Sequence, residues 1–331
     1  MSEPPEKHLV FAAMRNEGAF IVEWVCWYRM LGFDILIGFN DCTDRSPELL
    51  TRLAEEGVVS QFSHRPAPGL APKHSAYRAL RKRQEVADCD WLLICDVDEF
   101  LVLQAGGGTI ASYLDVIGRD HLGVAFHAQC FGTSGQKSFE DIPVHRRFTR
   151  TGPRIRPQNA WIKTMIHKPL RFNRFSDHSP VGYAGTWGPL PDCIVDGDGR
   201  PLTRFLNGPY PVRFTDPADI THGSAQLNHY VLRSEEDFDL KRGTPSASSL
   251  KDRYTEKFFR LRNSNGSSDL SALAYAERFD AVQADILALP GVRRLHHLCC
   301  ADRIAAICAM RGIDPETDPR WQRHMQIAAA A

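Results

Sequence analysis

None of the nine cysteines in this 331-residue chain stands in a CxxC pair. The absence excludes the commonest zinc-ribbon and dithiol redox signatures. The odd, unpatterned count, with Cys299 and Cys300 adjacent, fits a reducing compartment better than a disulfide framework. No run approaches the roughly 18 apolar residues that mark a membrane-spanning helix. Net charge is also missing: 40 Lys and Arg balance 40 Asp and Glu, which argues against a general nucleic-acid binder. Met1–His8 is polar and carries no secretory h-region. The expected location is the cytoplasm, and peripheral contact with the inner face of a membrane is compatible with it. One shortage is local. No acidic residue falls between Ile142 and Ser176, where Arg146, Arg147, Arg150, Arg154, Arg156, Lys163, Lys168, Arg171 and Arg174 all lie. Such a stretch is either a solvated face or a partner for an anion: nucleotide phosphates, an acidic sugar or a lipid-linked pyrophosphate.

What is present has an alternating rhythm. His8–Met14 reads as a strand, and Phe20, Trp24, Trp27 and Leu31 recur at helical spacing over Glu17–Leu31. Phe33–Phe39 predicts a second strand. A helix N-capped by Ser46 with Pro47 in its first turn follows, then a strand over Val58–Phe62. A helix is expected over Lys73–Ala87, a strand over Trp91–Cys95, a helix over Thr109–Ile117 and a strand over Gly123–Cys130. This alternation predicts an α/β domain with a mostly parallel sheet. Phe175–Pro211 is rich in Gly and Pro and reads as irregular. Helices are expected over Ser234–Lys241, Lys251–Leu261, Leu270–Leu289 and from Asp302 onward.

Ligands of such sheets sit outside the carboxyl ends of the strands. Asn16-Glu17, Asn40-Asp41 and Asp96-Val97-Asp98 all fall at those ends. Asp96 and Asp98, two residues apart, suit a divalent cation that holds a diphosphate, because hard oxygens bind Mg²⁺ or Mn²⁺ and leave positions open for phosphate. The plainer reading is a capping, salt-bridging loop. Glu99 reads as a supporting or acceptor-side group. Among the histidines of the second half, His167, His178, His222 and His229, a structural role is the commoner one for any single residue, and proton transfer or metal ligation the alternative.

Together, Met14-Arg15-Asn16-Glu17, Glu23-Trp24, Leu31-Gly32-Phe33, Asn40-Asp41-Cys42-Thr43-Asp44, Trp91 to Phe100, Phe131-Gly132-Thr133-Ser134-Gly135 and Asn228-His229-Tyr230 form an ordered set. In that order the chain resembles the family 2-like glycosyltransferases of the GT-A superfamily, in a bacterial branch related to family 92, over about residues 8–242. Cys42 departs from the Ser that many relatives carry. The resemblance implies a GT-A-like, Rossmann-related mixed sheet flanked by helices over 8–242, with a helical C-terminal extension over 250–331. It implies a nucleotide-sugar donor, UDP-linked in many such enzymes, and a Mn²⁺ or Mg²⁺ cofactor. The acceptor would be a glycan, a lipid-linked species or another hydroxyl, and the outcome inverting. Carried over, Asn16, Glu17, Asn40 and Asp41 would line the nucleoside pocket. Asp96 and Asp98 would hold the metal, joined by His229 or His178, and Lys163 would take diphosphate charge. Asp177, His178 and Asp141 are the candidates for the acceptor-side base. Two rival readings stand beside this one: a non-catalytic sugar-binding protein on a degenerate transferase scaffold, and a sugar-phosphate nucleotidyltransferase.

Overall fold

The apolar run His8–Met14 forms strand β1, followed by helix α1 (Gly18–Met30), β2 (Asp34–Phe39), α2 (Ser46–Glu55) and β3 (Ser60–Ser63). Next come α3 (Pro72–Leu80), α4 (Gln84–Asp88), β4 (Trp91–Ile94), β5 (Glu99–Leu103), α5 (Ile110–Ile117), β6 (Gly123–Cys130) and α6 (Val144–Arg147). The second half contributes β7 (Arg150–Thr151), β8 (Ile162–His167), β9 (Phe172–Arg174), β10 (Val181–Tyr183), β11 (Ile194–Asp196) and β12 (Ala225–His229). It closes with α7 (Glu235–Asp239), α8 (Glu256–Arg262), β13 (Ser267–Ser268), α9 (Ala276–Ala288), α10 (Val292–Met310) and α11 (Pro319–Ala330). These elements are those of a computed structural model that describes residues 5–202 and 210–331. Residues 1–4 of the polar start and 203–209 of the Gly/Pro-rich stretch lie outside the described residues.

The main sheet runs β3-β2-β1-β4-β8-β6-β12-β5, with β11 also paired to β6. β3, β2, β1 and β4 run parallel to one another. β8 is antiparallel to both β4 and β6, while β12 runs parallel to β6 and antiparallel to β5. The fold is a mixed α/β, Rossmann-like sheet of the GT-A class with a helical C-terminal extension. Because β1, β2 and β4 are parallel, the residues after Met14, Phe39 and Ile94 emerge on one edge. That shared edge creates the site.

Every residue of α1 except Arg29 is buried. A helix apolar on all sides must be covered on all sides. The sheet covers one face, and α9 and α10 of the extension cover the other. Trp27 is the hinge of this packing: its ring lies 5.6 Å from Phe100 on the sheet side and 6.2 Å from Phe279 of α9. The extension therefore shares one core with the sheet domain.

Local differences from the sequence reading have physical causes. The helix expected over Lys73–Ala87 is split into α3 and α4, because Arg83 takes an extended backbone (ψ 142). There its guanidinium forks onto Glu85 and lies over the Phe62 ring. Ser46 begins α2 itself instead of capping it. Asp44 does that work, accepting from the Ser46 backbone N–H at 3.0 Å. β3 starts two residues later than predicted, at Ser60, after the turn that closes α2. Among the described residues no helix is long and apolar enough to cross a membrane.

Candidate active site

Cys95–Asp98 connect β4 to β5, and this loop is fastened from several directions. The Asp96 carbonyl accepts from Trp24 Nε1 at 3.1 Å and from the Glu99 backbone N–H at 3.0 Å. Glu99 Oε2 accepts in return from the Asp96 N–H at 2.9 Å. Val97 O accepts from Arg233 Nη2, and Asp98 O from the Tyr230 N–H. With the backbone so held, the Asp96 and Asp98 carboxylates project into a cleft of about 360 Å³. That volume is in the range of small-molecule sites.

Each carboxylate is matched by cations. Lys73 Nζ, on α3, lies 2.5 Å from Asp96 Oδ1 and 2.8 Å from Asp177 Oδ1. Lys163 Nζ, rising from β8, lies 3.3 Å from Asp96 Oδ2 and 3.1 Å from Glu99 Oε2. Lys241 Nζ, just past α7, lies 3.2 Å from Asp98 Oδ2, and His229 Nε2, at the end of β12, lies 3.6 Å from Asp98 Oδ1. Burial alone would raise Asp96, Asp98 and Asp177. The ammonium groups overcome it, holding Asp96 below, and Asp98 and Asp177 well below, the usual carboxylate range. Glu99 keeps the opposite sign: burial outweighs Lys163, and its carboxyl is raised. Burial alone would lower His229, but Asp98, with Cys130 on its other side, pushes it up to about 10.

The opposite wall carries the ends of β1 and β2. Asn16 has φ 56 and Asp41 φ 45, left-handed conformations rare outside glycine and concentrated at functional sites. Asn16 fixes the β2–α2 loop twice, donating to Thr43 Oγ1 at 2.9 Å and accepting from the Thr43 N–H at 2.8 Å. Glu17 is held at 2.8 Å by Arg233, whose buried guanidinium stacks on Phe20. The segment after α7 closes a third side. Thr244–Ser248, Leu250, Arg253 and Tyr254 all line the cleft, and Ser248 Oγ donates to Asp177 Oδ2 at 2.5 Å.

Of the residues singled out from sequence, Asn16, Glu17, Asn40, Asp96, Asp98 and His229 line this cleft. Lys163 reaches it through its ion pairs with Asp96 and Glu99. Asp41 does not line it; its carboxylate accepts from Asn40 Nδ2 at 2.9 Å. Asp177 is caged by Lys73, Tyr77 and Ser248. His178 turns Nδ1 to the Ile162 carbonyl at 2.9 Å, and burial pushes its pKa down to about 4. Asp141 is not brought to the cleft: it packs against His296 and His297 of α10. The acid-free basic stretch is not one anion surface either. Arg146 pairs with Asp280, Lys168 with Asp90 and Arg156 with the Leu261 carbonyl, and of the nine cations only Lys163 forms an ion pair with Asp96 or Glu99. His167 and His222 are structural, stacking on Trp91 and bonding the Ala128 carbonyl respectively.

Sequence reasoning missed Lys73, Tyr77, Arg233, Lys241, Ser248 and Arg253. None sits in a motif of its own. Lys73 and Lys241 were visible only as the ends of expected helices.

No protein-family model matches the chain, and no curated protein does. Among solved structures, S. aureus TarS residues 1–349 are similar at 11% identity and TM-score 0.35, covering 97% of this chain and 90% of that one. The same TarS fragment in complex with UDP gives 12% and 0.36. The galactosyltransferase LgtC, in complex with donor and acceptor sugar analogs, gives 11% and 0.29 over 85% of this chain and 97% of that one.

Proposed function

We propose that the cleft binds a nucleotide sugar and transfers its sugar to a hydroxyl acceptor. The observation that carries this reading is the convergence, on the carboxyl edge of parallel strands, of Asp96 and Asp98 with Lys73, Lys163, Lys241 and His229. The other wall, Asn16, Glu17 and Asn40, offers the neutral and acidic hydrogen-bonding groups that suit a nucleoside.

By donor chemistry the set suits a divalent cation, which on binding would displace Lys73, Lys163 or Lys241 from the carboxylates. Two carboxylates and an imidazole are oxygen and nitrogen ligands of the kind Mn²⁺ and Mg²⁺ accept, with positions left for phosphate. The cleft lining sets Glu17, Asp96 and Asp98 against Arg15, Lys73, Lys241, Arg253 and Arg303, a positive balance that suits an incoming diphosphate. Asp96, Asp98 and His229 would hold that cation, which when bound would neutralise charge on the departing diphosphate.

The chain's own residues do the rest. Lys73 and Lys163 keep Asp96 ionised and in place, and Lys241 does the same for Asp98. Lys241 also lines the open cleft, where its ammonium can meet a phosphate oxygen. Asp177, with all three donors already on its carboxylate, acts as a positioning residue for Lys73. The segment 244–254 would exclude water above the donor.

The test is incubation with a panel of nucleotide sugars and Mn²⁺, with identification of the products. Release of a nucleoside diphosphate supports transfer or donor hydrolysis. Pyrophosphate made from a nucleoside triphosphate and a sugar phosphate would instead show a nucleotidyltransferase. Binding without any release would show a non-catalytic sugar-binding protein.

A further inference from the structure

Away from the cleft, three segments remote in sequence converge on one point. Asp141 comes from the connection between β6 and α6, His296 and His297 from α10, and His324 from α11. His297 Nδ1 and His324 Nδ1 are 2.9 Å apart, and Asp141 Oδ2 lies 3.7 Å from His297 Nδ1. One ligand atom each from Asp141, His297 and His324 fall within 4.8 Å of one another. Tetrahedral zinc, with bonds near 2.0–2.1 Å, holds its ligand atoms about 3.3–3.4 Å apart. The observed separations bracket that spacing.

A neighbouring histidine holds the carboxylate. His296, buried on α10, puts Nε2 3.0 Å from Asp141 Oδ1 and 3.2 Å from Oδ2, holding both oxygens of the carboxylate. A histidine that fixes a ligating carboxylate in this way sets its orientation. Cys300 Sγ lies 3.8 Å from the same His296 nitrogen. Because thiol and carboxylate both address Nε2, the imidazole cannot pass a proton between its two nitrogens, and a Cys-His-Asp nucleophile is excluded. The Asp141 side chain is 29% exposed, which leaves a path for an ion and room for water as a fourth ligand.

We propose that Asp141, His297 and His324 bind one zinc ion that clamps the α10–α11 hairpin to the segment after β6. Two imidazoles and a carboxylate select zinc over the harder Mg²⁺ or Ca²⁺. None of these residues lines the cleft, so the ion is separate from the cation proposed at Asp98. Its role is to fasten α10, one of the helices that cover α1, to α11 and to the segment after β6.

The experiment uses the full chain, stripped with chelator, dialysed and titrated with Zn²⁺ alone. Metal content, Tm and the visible bands of Co²⁺ substituted for zinc are the readouts. The wild type takes up a single tightly held equivalent, gains Tm, and with Co²⁺ shows the intense bands of a tetrahedral site. His297→Gln and His324→Gln lose that equivalent while keeping the wild-type far-ultraviolet circular dichroism. His296→Gln weakens zinc affinity about 10–100-fold. Asp98→Asn retains the zinc. A stripped wild type that takes up no zinc overturns the proposal. So does full retention in folded His297→Gln and His324→Gln, or loss of the ion in Asp98→Asn instead.

Discussion

Lys73 and Asp96 meet at 2.5 Å across the cleft, an ammonium on a helix against a carboxylate at a strand end. Lys73 is itself buried and also holds Asp177. Removing it would leave two carboxylates facing each other with one cation fewer. Breaking a buried pair by deleting one partner costs about 3–5 kcal/mol. Lys73→Ala should therefore lower unfolding free energy by that order in a urea titration, and a loss below about 0.5 kcal/mol, the size typical of surface changes, would contradict the network.

Lys241 pairs with Asp98 and also lines the open cleft. Lys241→Ala should reduce nucleoside diphosphate release about 10²–10³-fold, the usual effect of losing one group that stabilises developing charge. Unchanged turnover would remove Lys241 from the diphosphate site.

The extension packs its aromatic face on α1, and Phe279 is fully buried against Trp27 and His145. Phe279→Ala should cost about 3–5 kcal/mol, the range for truncating a buried aromatic. Calorimetry should show a single transition moving down, since the extension and the sheet share one core. Two separated transitions would mean that α9–α11 unfold on their own.

Three buried histidines, His121, His127 and His178, have pKa values pushed down to about 4, in each case chiefly by burial. His127 shows why. Nδ1 accepts from the Thr221 N–H at 3.3 Å while Nε2 faces Thr215 Oγ1 at 2.8 Å, an arrangement that needs the neutral ring. A depressed folded-state pKa contributes stability that is present above the unfolded value near 6.5 and is lost as pH falls toward 4. Denaturant midpoints should fall between about pH 6.5 and 4, with a shallower slope in His127→Gln. An identical slope in the variant would remove His127 from the account.

The strand ends were legible because apolar runs bounded by Gly32 and by the Asn-Asp loop leave few alternatives, and parallel pairing then gathers Asn16, Asn40 and Asp96 on one edge. The carboxylate pair was legible for the same reason. The lysines were not. Lys73 and Lys241 lie 23 and 143 positions from their partners, and ordinary helix and loop patterning says nothing about such long-range approach. The basic stretch misled in the other direction, since tertiary packing sent its cations to Asp280, Asp90 and backbone carbonyls one at a time. Asp141 looked like a base in sequence because nothing local reveals that α10 and α11 return to meet it. The burial of α1 on both faces was half visible: its apolar residues exceeded one stripe, but only the fold shows α9 and α10 as the cover.

On the proposed reading the Asp96–Asp98 edge holds a nucleoside diphosphate through a divalent cation. Calorimetric titration of UDP into the full chain, with Mn²⁺ and then with excess chelator, tests it most directly when repeated on Asp98→Asn. Saturable binding that needs Mn²⁺ and disappears in Asp98→Asn, with the variant's Tm preserved, is the predicted result. Equal UDP affinity in chelator, or in Asp98→Asn, would contradict it.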